Sequence, residues 1–236
     1  MAFEPQGQSA YGDYSAGGVL AQESARVFMQ RVYWWMTMGL GLTGITSWVV
    51  ASNQALFAAL APHFMILMLG GFGIVLLFSF IAQKVSGPVA AGMFLIYAFI
   101  NGLVFSVLFY VYELGSIASA FFITAAGFAA MSVYGTVTKK NLSAWAPFLF
   151  IGLIGIIIAG IVNIFLQSDM LGFVKSAAAV VIFAGLTAYD TQKLRQYHAS
   201  SGFSSAQSLA IHGALILYLD FINLFLALLR LFGRRR

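Results

Sequence analysis

The sequence predicts an all-α membrane protein with seven transmembrane helices, because of its composition and the length of its apolar stretches. Of its 236 residues, 61% are hydrophobic and 8% are charged, whereas soluble domains contain about 25% charged residues. The mean hydropathy is +0.92. The ~30 Å hydrocarbon core of a bilayer requires about 20 apolar residues per helix. Seven stretches of about that length occupy residues 33–51, 64–82, 89–112, 117–137, 145–166, 173–190 and 208–230.

The segments outside these stretches predict one transmembrane domain with two short tails. Residues 1–32 contain Glu4, Asp13 and Glu23 and lack a hydrophobic centre, which predicts a polar, disordered tail and not a cleavable signal peptide. Residues 33–230 form the transmembrane domain, and residues 231–236 form a basic tail. The connections are too short to contain a separate soluble domain.

The basic residues predict the topology. They concentrate in the N-terminal tail and in the second, fourth and sixth connections: Arg26, Arg31, Lys84, Lys139, Lys140, Lys193 and Arg195. This alternation predicts a cytoplasmic N-terminus. The net charge of +5 comes from the basic residues that set this orientation and does not indicate a nucleic-acid partner. A seventh crossing would place Arg230 and residues 234–236 outside, which the same rule disfavours. Either the last segment does not fully cross the membrane, or the orientation of the other helices outweighs the positive charge of the C-terminal tail.

Two aspartates are the candidate functional residues. Asp190 ends the sixth apolar stretch, and Asp220 lies in the middle of LILYLDFINLFLALLR, residues 215–230. A central aspartate costs ~2.5–3.5 kcal/mol on insertion scales, while each Leu, Ile or Phe of the helix returns ~0.3–0.6 kcal/mol. The helix has thirteen of these residues, so it still inserts. The carboxylate must nevertheless face protein or water, and such residues mark functional sites.

Helical periodicity predicts that Asp220 faces inward. Gly213, Asp220 and Ala227 recur every seven residues, with the polar Asn223 beside them. Because these small and polar residues form one stripe on an otherwise apolar helix, the seventh helix is expected to pack among the others.

Asp190 and Asp220 lie on consecutive antiparallel helices, and their depths match if the sixth helix continues past Asp190 through Lys193 and Arg195. Two carboxyl groups at hydrogen-bond distance cannot both ionise cheaply, so they would share a proton and act as a pH sensor. Alternatively, Asp190 lies at the membrane edge and is satisfied by Lys193, three residues further on.

Other motifs do not indicate cofactor chemistry. The segment GLGLTG, residues 39–44, fits the dinucleotide-binding fingerprint but lies inside an apolar span with no preceding strand. Its glycines are expected to allow close helix packing. His63, His198 and His212 are scattered, so neither a metal site nor another cofactor is expected.

Several segments resemble the transmembrane Bax inhibitor motif family, also called the Bax inhibitor 1 family. The most specific are GLTAYDTQ, residues 185–192, and LILYLDFINLFLALLRLFG, residues 215–233. Shorter ones are MQRVY, KKNL and VNIF, at residues 29–33, 139–142 and 162–165. The length and the short tail are similar to those of bacterial inner-membrane members.

The resemblance implies six helices around a central seventh. It also implies that Asp190 and Asp220 form a hydrogen-bonded pair that senses pH and gates a calcium leak, with calcium as a permeant ion. In a bacterial member, an arginine near the end of the second helix latches onto the aspartate that Asp190 matches. This chain has only Lys84 there, and lysine cannot form the same bidentate fork. Lys84 remains the candidate latch. Lys193, close to Asp190 along the chain, and Asn223, close to Asp220, are candidate supporting groups.

Three functions fit these features. The leading hypothesis is a pH-sensitive cation leak channel in the bilayer of the bacterial inner membrane. The alternative is a membrane regulator of a protein partner, such as a membrane protease or stress factor, with a structural aspartyl pair. An intramembrane aspartyl protease is disfavoured because such enzymes carry Gly-x-Gly-Asp at the second aspartate, where this chain has LYLD, residues 217–220, and no Pro-Ala-Leu motif follows. We therefore expect no enzymatic activity.

Overall fold

The computed structural model describes residues 9–197 and 205–236, and in these ranges the protein is all-α without a β-strand. The first eight residues of the predicted tail, and His198 in the sixth connection, lie outside the described residues. Two 3₁₀ turns, Ala61–His63 and Leu142–Trp145, accompany the α-helices. The described α-helices are α1 (Ser9–Ser52), α2 (Gln54–Leu60), α3 (Phe64–Ile81), α4 (Gly87–Phe105), α5 (Leu108–Val111), α6 (Leu114–Val137), α7 (Ala146–Leu166), α8 (Asp169–Tyr197) and α9 (Ala206–Phe232).

Every predicted span is helical. Six helical segments of the described ranges are long and apolar enough to cross a membrane, and α1 contains the first predicted span. The third span is broken into α4 and α5, whereas a continuous stretch over residues 89–112 was predicted. The Ser106 hydroxyl donates a hydrogen bond to the Leu103 carbonyl at 2.6 Å. Such a side-chain bond competes with the backbone ladder and bends a helix.

The first helix begins earlier than predicted. Disorder was expected for residues 1–32, but α1 is helical from Ser9 and buries Phe28 and Val32. With Met36, these two side chains recur every four residues and form one apolar face. The intervening polar residues, such as the exposed Arg31, lower the average hydropathy and conceal that face. The helical domain therefore starts well before residue 33.

Local sequence signals explain where several helices begin. Pro88 and Pro147 lie in the first turns of α4 and α7, where a missing backbone N–H costs nothing. The side chain of Asn53 caps α2, and that of Ser205 caps α9 by accepting a hydrogen bond from the Ser208 amide at 3.0 Å. These caps satisfy amides that have no partner within the helix.

The helix α9 is the most buried span. Seventeen of its 27 residues are buried, compared with one of 21 in α7. Its main neighbours are α8, α1, α6 and α4. Gly213, Asp220 and Ala227 are all buried, and Asn223 is half-buried. The stripe predicted from the sequence is therefore an inward-facing surface.

Two glycines allow neighbouring helices to approach closely. A side chain on Gly135 of α6 would collide with the backbone carbonyl of Ala188 in α8, and one on Gly39 of α1 would collide with the ring of Phe94 in α4. In the segment of residues 39–44, Gly41 and Gly44 face open space. The helix-packing interpretation of that segment is thus correct for Gly39 alone. The contact at Gly135 holds α6 against the part of α8 that leads to Asp190.

Candidate functional site

The helix α8 continues past Asp190 to Tyr197, as the pairing of the two aspartates requires. Its last turns are fastened to α6, because the half-buried Arg195 donates a hydrogen bond to the carbonyl of Thr136. Asp190 therefore lies inside a helix that is supported on both sides of it. It does not lie at a frayed helix end.

The structure brings the two aspartates together. The carboxyl groups of Asp190 and Asp220 lie within hydrogen-bonding range of each other. Asp220 is 5% exposed, while Asp190 is half-buried. Asp220 Oδ2 is buried and has no hydrogen-bond partner among the described residues. Because two carboxylates cannot donate to each other, the pair is complete only when it holds one proton.

The three candidate supporting residues occupy different positions. Lys193 acts electrostatically on Asp190 from the next turn of α8, and its ammonium lies 5.3 Å from the centre of the Tyr189 ring. The Asn223 amide donates to the Leu219 carbonyl of its own helix at 2.8 Å. Lys84 is exposed in the turn between α3 and α4. Within the described residues, neither Asn223 nor Lys84 has a side-chain hydrogen bond or ion pair with either aspartate.

Two threonines on α8 lie close to the pair and were not predicted from the sequence. Thr187 and Thr191 are fully buried. The Thr191 hydroxyl donates to Ser132 Oγ of α6 at 3.4 Å, and the Thr187 hydroxyl donates to the Phe183 carbonyl at 2.8 Å. A threonine can always bond to its own helix, so its presence in an apolar stretch carries little sequence signal.

Gln192 connects two of the segments that carried the family resemblance. Its side-chain oxygen accepts a hydrogen bond from the Leu142 amide at 2.8 Å, and its side-chain nitrogen donates to the Lys140 carbonyl at 2.9 Å. The connection between α6 and α7 is thereby attached to α8, two residues after Asp190. The sequence motifs at residues 139–142 and 185–192 form one structural unit.

A second buried polar cluster lies on the other face of α9. Tyr218 is fully buried, and its hydroxyl is 2.7 Å from Thr43 Oγ1 and 3.3 Å from Asn101 Nδ2. Thr43 in turn donates to the carbonyl of Ala98 at 2.9 Å. At 100° per residue, Tyr218 points about 200° away from Asp220. Because Tyr218 and Asp220 are two residues apart, helical periodicity alone places them on opposite faces of α9. Polar contacts therefore hold α9 on both faces.

These features define a multi-pass helical membrane protein with a buried acidic pair on its most buried helix. Comparison with protein families specifies the class further. The chain belongs to the Bax inhibitor 1 family, because the family model described as "Inhibitor of apoptosis-promoting Bax1" matches residues 25–236. The resemblance inferred from the sequence motifs is thereby confirmed.

Bacterial relatives align over most of their length. "Inner membrane protein YbhL" of Escherichia coli strain K12 is 43% identical over 217 residues, which cover 89% of this chain and 93% of that protein. An uncharacterized protein of Deinococcus radiodurans is 42% identical over 215 residues, covering 90% and 93%. "Uncharacterized protein RP147" of Rickettsia prowazekii is 39% identical over 222 residues, covering 91% and 92%. Similarity therefore extends over the whole helical bundle.

Proposed function

We propose that this protein is a pH-sensitive leak pathway for calcium or other cations, gated by Asp190 and Asp220. It acts in a bacterial inner membrane with its N-terminus in the cytoplasm and with six helices arranged around α9. The observation that supports this function is the close approach of the Asp190 and Asp220 carboxyl groups, where α8 meets the most buried helix, α9. Isolated acidic residues are costly in a membrane and mark ion or proton pathways.

The proton shared by the pair controls the contact between α8 and α9. With one proton present, the two carboxyl groups attract each other. When it leaves, two negative charges remain at hydrogen-bond distance, and such charges repel by about 4 kcal/mol at 4 Å in a medium of dielectric constant about 20. Asp220 Oδ2 then lacks a donor among the described residues. The doubly ionised pair therefore favours separation of the two helices.

The same ionised pair attracts cations. Carboxylate oxygens are the preferred ligands of Ca²⁺, which binds them in flexible geometries. Because Asp190 is half-buried and Asp220 is almost completely buried, proton exchange with water proceeds through Asp190. Opening and cation entry are thus driven by one event, the loss of the shared proton.

The second candidate function is regulation of a membrane protein partner, with the aspartyl pair locking the helices. A groove of about 910 Å³ favours this alternative, because it is largely apolar and its lining does not include the aspartates. It runs between α1 and α6, from Tyr33 and Leu40 to Phe128, with Phe221 of α9 also in its lining. Exposed apolar grooves of this kind accept transmembrane helices of partners.

Calcium flux into proteoliposomes distinguishes the two functions. Asp220→Asn should abolish the pH dependence of the flux near neutral pH, because the amide can donate to an ionised Asp190 and the two groups no longer share a proton. Glu113→Gln, which changes an exposed carboxylate at the start of α6, is the matched control and should behave as the unmodified protein. Flux at the liposome background in the unmodified protein, together with lower thermal stability of Asp190→Asn in detergent, would support the regulator instead.

A further inference from the structure

Two of the arginines that contradict the positive-inside rule, Arg230 and Arg235, line a pocket at the C-terminal end of α9. This pocket measures about 420 Å³ and lies where α7 ends, α8 begins and α9 ends. Its cationic residues are Lys175, Arg230 and Arg235. Because α8 has 29 residues, or about 43 Å at 1.5 Å per residue, the pocket lies at the opposite end of α8 from Arg195.

The charges of the pocket are not balanced. Three cations face one carboxylate, Asp169, which also lines the pocket. Lys175 is half-buried, and the guanidinium of Arg230 acts on it electrostatically as a like charge. Within the described residues, Asp169 forms no ion pair with any of the three cations. An anion in the pocket would relieve this repulsion.

The remaining lining is suited to an oxyanion. Ser168 caps α8 by accepting a hydrogen bond from the Leu171 amide at 3.3 Å, and Asn163 accepts one from the Ser168 amide at 3.0 Å. These bonds fix the start of α8, whose free amides and helix dipole add positive potential. Ile164 and Phe173 also line the pocket and are more than half exposed. They provide an apolar surface beside the charged groups.

We propose that this pocket binds a phosphate group, supplied either by the headgroup of an anionic phospholipid or by free phosphate. The arginines present planar forks that match phosphate oxygens, and Lys175 adds a point charge. The exposed apolar residues beside them would contact an acyl chain. A bound anion also explains why several arginines are tolerated at the end of α9, where the rule for cytoplasmic positive charge disfavours them.

Binding to the full chain in detergent, after removal of lipid, tests this site with three probes. Inorganic phosphate, short-chain phosphatidylglycerol and short-chain phosphatidylcholine are titrated separately, with affinity measured by calorimetry. Tighter binding of phosphatidylglycerol than of phosphatidylcholine identifies a lipid headgroup, and tight binding of inorganic phosphate identifies the free anion. Absence of binding for all three probes would overturn the site.

Charge variants locate the binding. The double variant Lys175→Gln/Arg230→Gln should weaken binding by about tenfold or more, because it removes two charge-assisted contacts. Arg235→Gln, at an exposed position, should also weaken phosphate binding. This single variant replaces the double variant if the latter does not fold. The matched control is Arg234→Gln, since Arg234 lines a different pocket together with Glu113. An equal loss of affinity in Arg234→Gln, or no loss in the pocket variants, would show that the binding is non-specific and would refute the site.

Discussion

Replacing Tyr218 by phenylalanine tests whether the polar cluster of Tyr218, Thr43 and Asn101 holds α9 in place. The substitution removes one hydroxyl at a fully buried position and keeps the ring. The edge-to-face contacts of that ring with Phe94 and Tyr97, with centroids 5.7 and 5.8 Å away, should therefore remain. The change isolates the two interhelical hydrogen bonds of the hydroxyl.

The expected loss of unfolding free energy is ~1–2 kcal/mol, because interhelical hydrogen bonds in membranes contribute ~0.6 kcal/mol on average and up to ~1.7 kcal/mol. The surroundings of the two former partners, Thr43 and Asn101, limit the loss. Thr43 still donates to the Ala98 carbonyl at 2.9 Å, and the side chain of Asn101 is half-buried and not sealed in the core. The buried Thr43 hydroxyl therefore keeps a hydrogen-bond partner after the substitution.

Reversible unfolding in mixed detergent micelles measures this loss. Tyr110→Phe is the matched control, because its hydroxyl donates to the Ala51 carbonyl at 3.2 Å at an exposed position. That control should lose less than ~0.5 kcal/mol. Equal losses in the two variants would refute the view that the cluster of Tyr218 anchors α9. A loss above ~4 kcal/mol would equally contradict it, because the ring would then have moved.

Two further substitutions test the contacts of α8. Gly135→Ala should destabilise the fold by ~1–3 kcal/mol, because the new methyl group collides with the Ala188 carbonyl. Thermal unfolding of Gly127→Ala, on the same helix where a side chain meets open space, should show no loss. Gln192→Ala removes two hydrogen bonds to the connection between α6 and α7 and should cost ~1–3 kcal/mol. Limited proteolysis should cut that connection faster in this variant, and an unchanged cutting rate would contradict its attachment to α8.

The spans and the inward stripe of α9 could be predicted because each depends on local periodicity and helix length. The sequence left open whether Asp190 pairs with Asp220 or with Lys193, because the choice depends on how α8 and α9 pack. The beginning of α1 could not be predicted, since Arg31 and its polar neighbours lower the average hydropathy of a segment whose other face is buried. The contacts of Tyr218 were also missed. They join residues 175 and 117 positions apart, and no local pattern reports such distances.

For the charged residues, too, contacts between distant parts of the chain could not be predicted from local sequence. The rule for positive charge identified Arg230 as anomalous, but its neighbour Lys175 is 55 residues away along the chain. Only the fold brings the two cations into one pocket. Likewise, the sequence offered Asn223 as a partner of Asp220, whereas the amide bonds to its own helix at the Leu219 carbonyl. Local bonds of this kind compete with any predicted long-range contact.

The distance between the carboxyl groups of Asp190 and Asp220, determined at one pH of low calcium flux and one of high flux, tests gating by the pair most directly. The shared proton predicts a hydrogen-bond distance of about 2.5–2.7 Å between the nearest oxygens at the low-flux pH. At the high-flux pH, the two groups should be separated beyond hydrogen-bond range. The same short distance at both pH values, while the flux differs, would contradict gating by this pair.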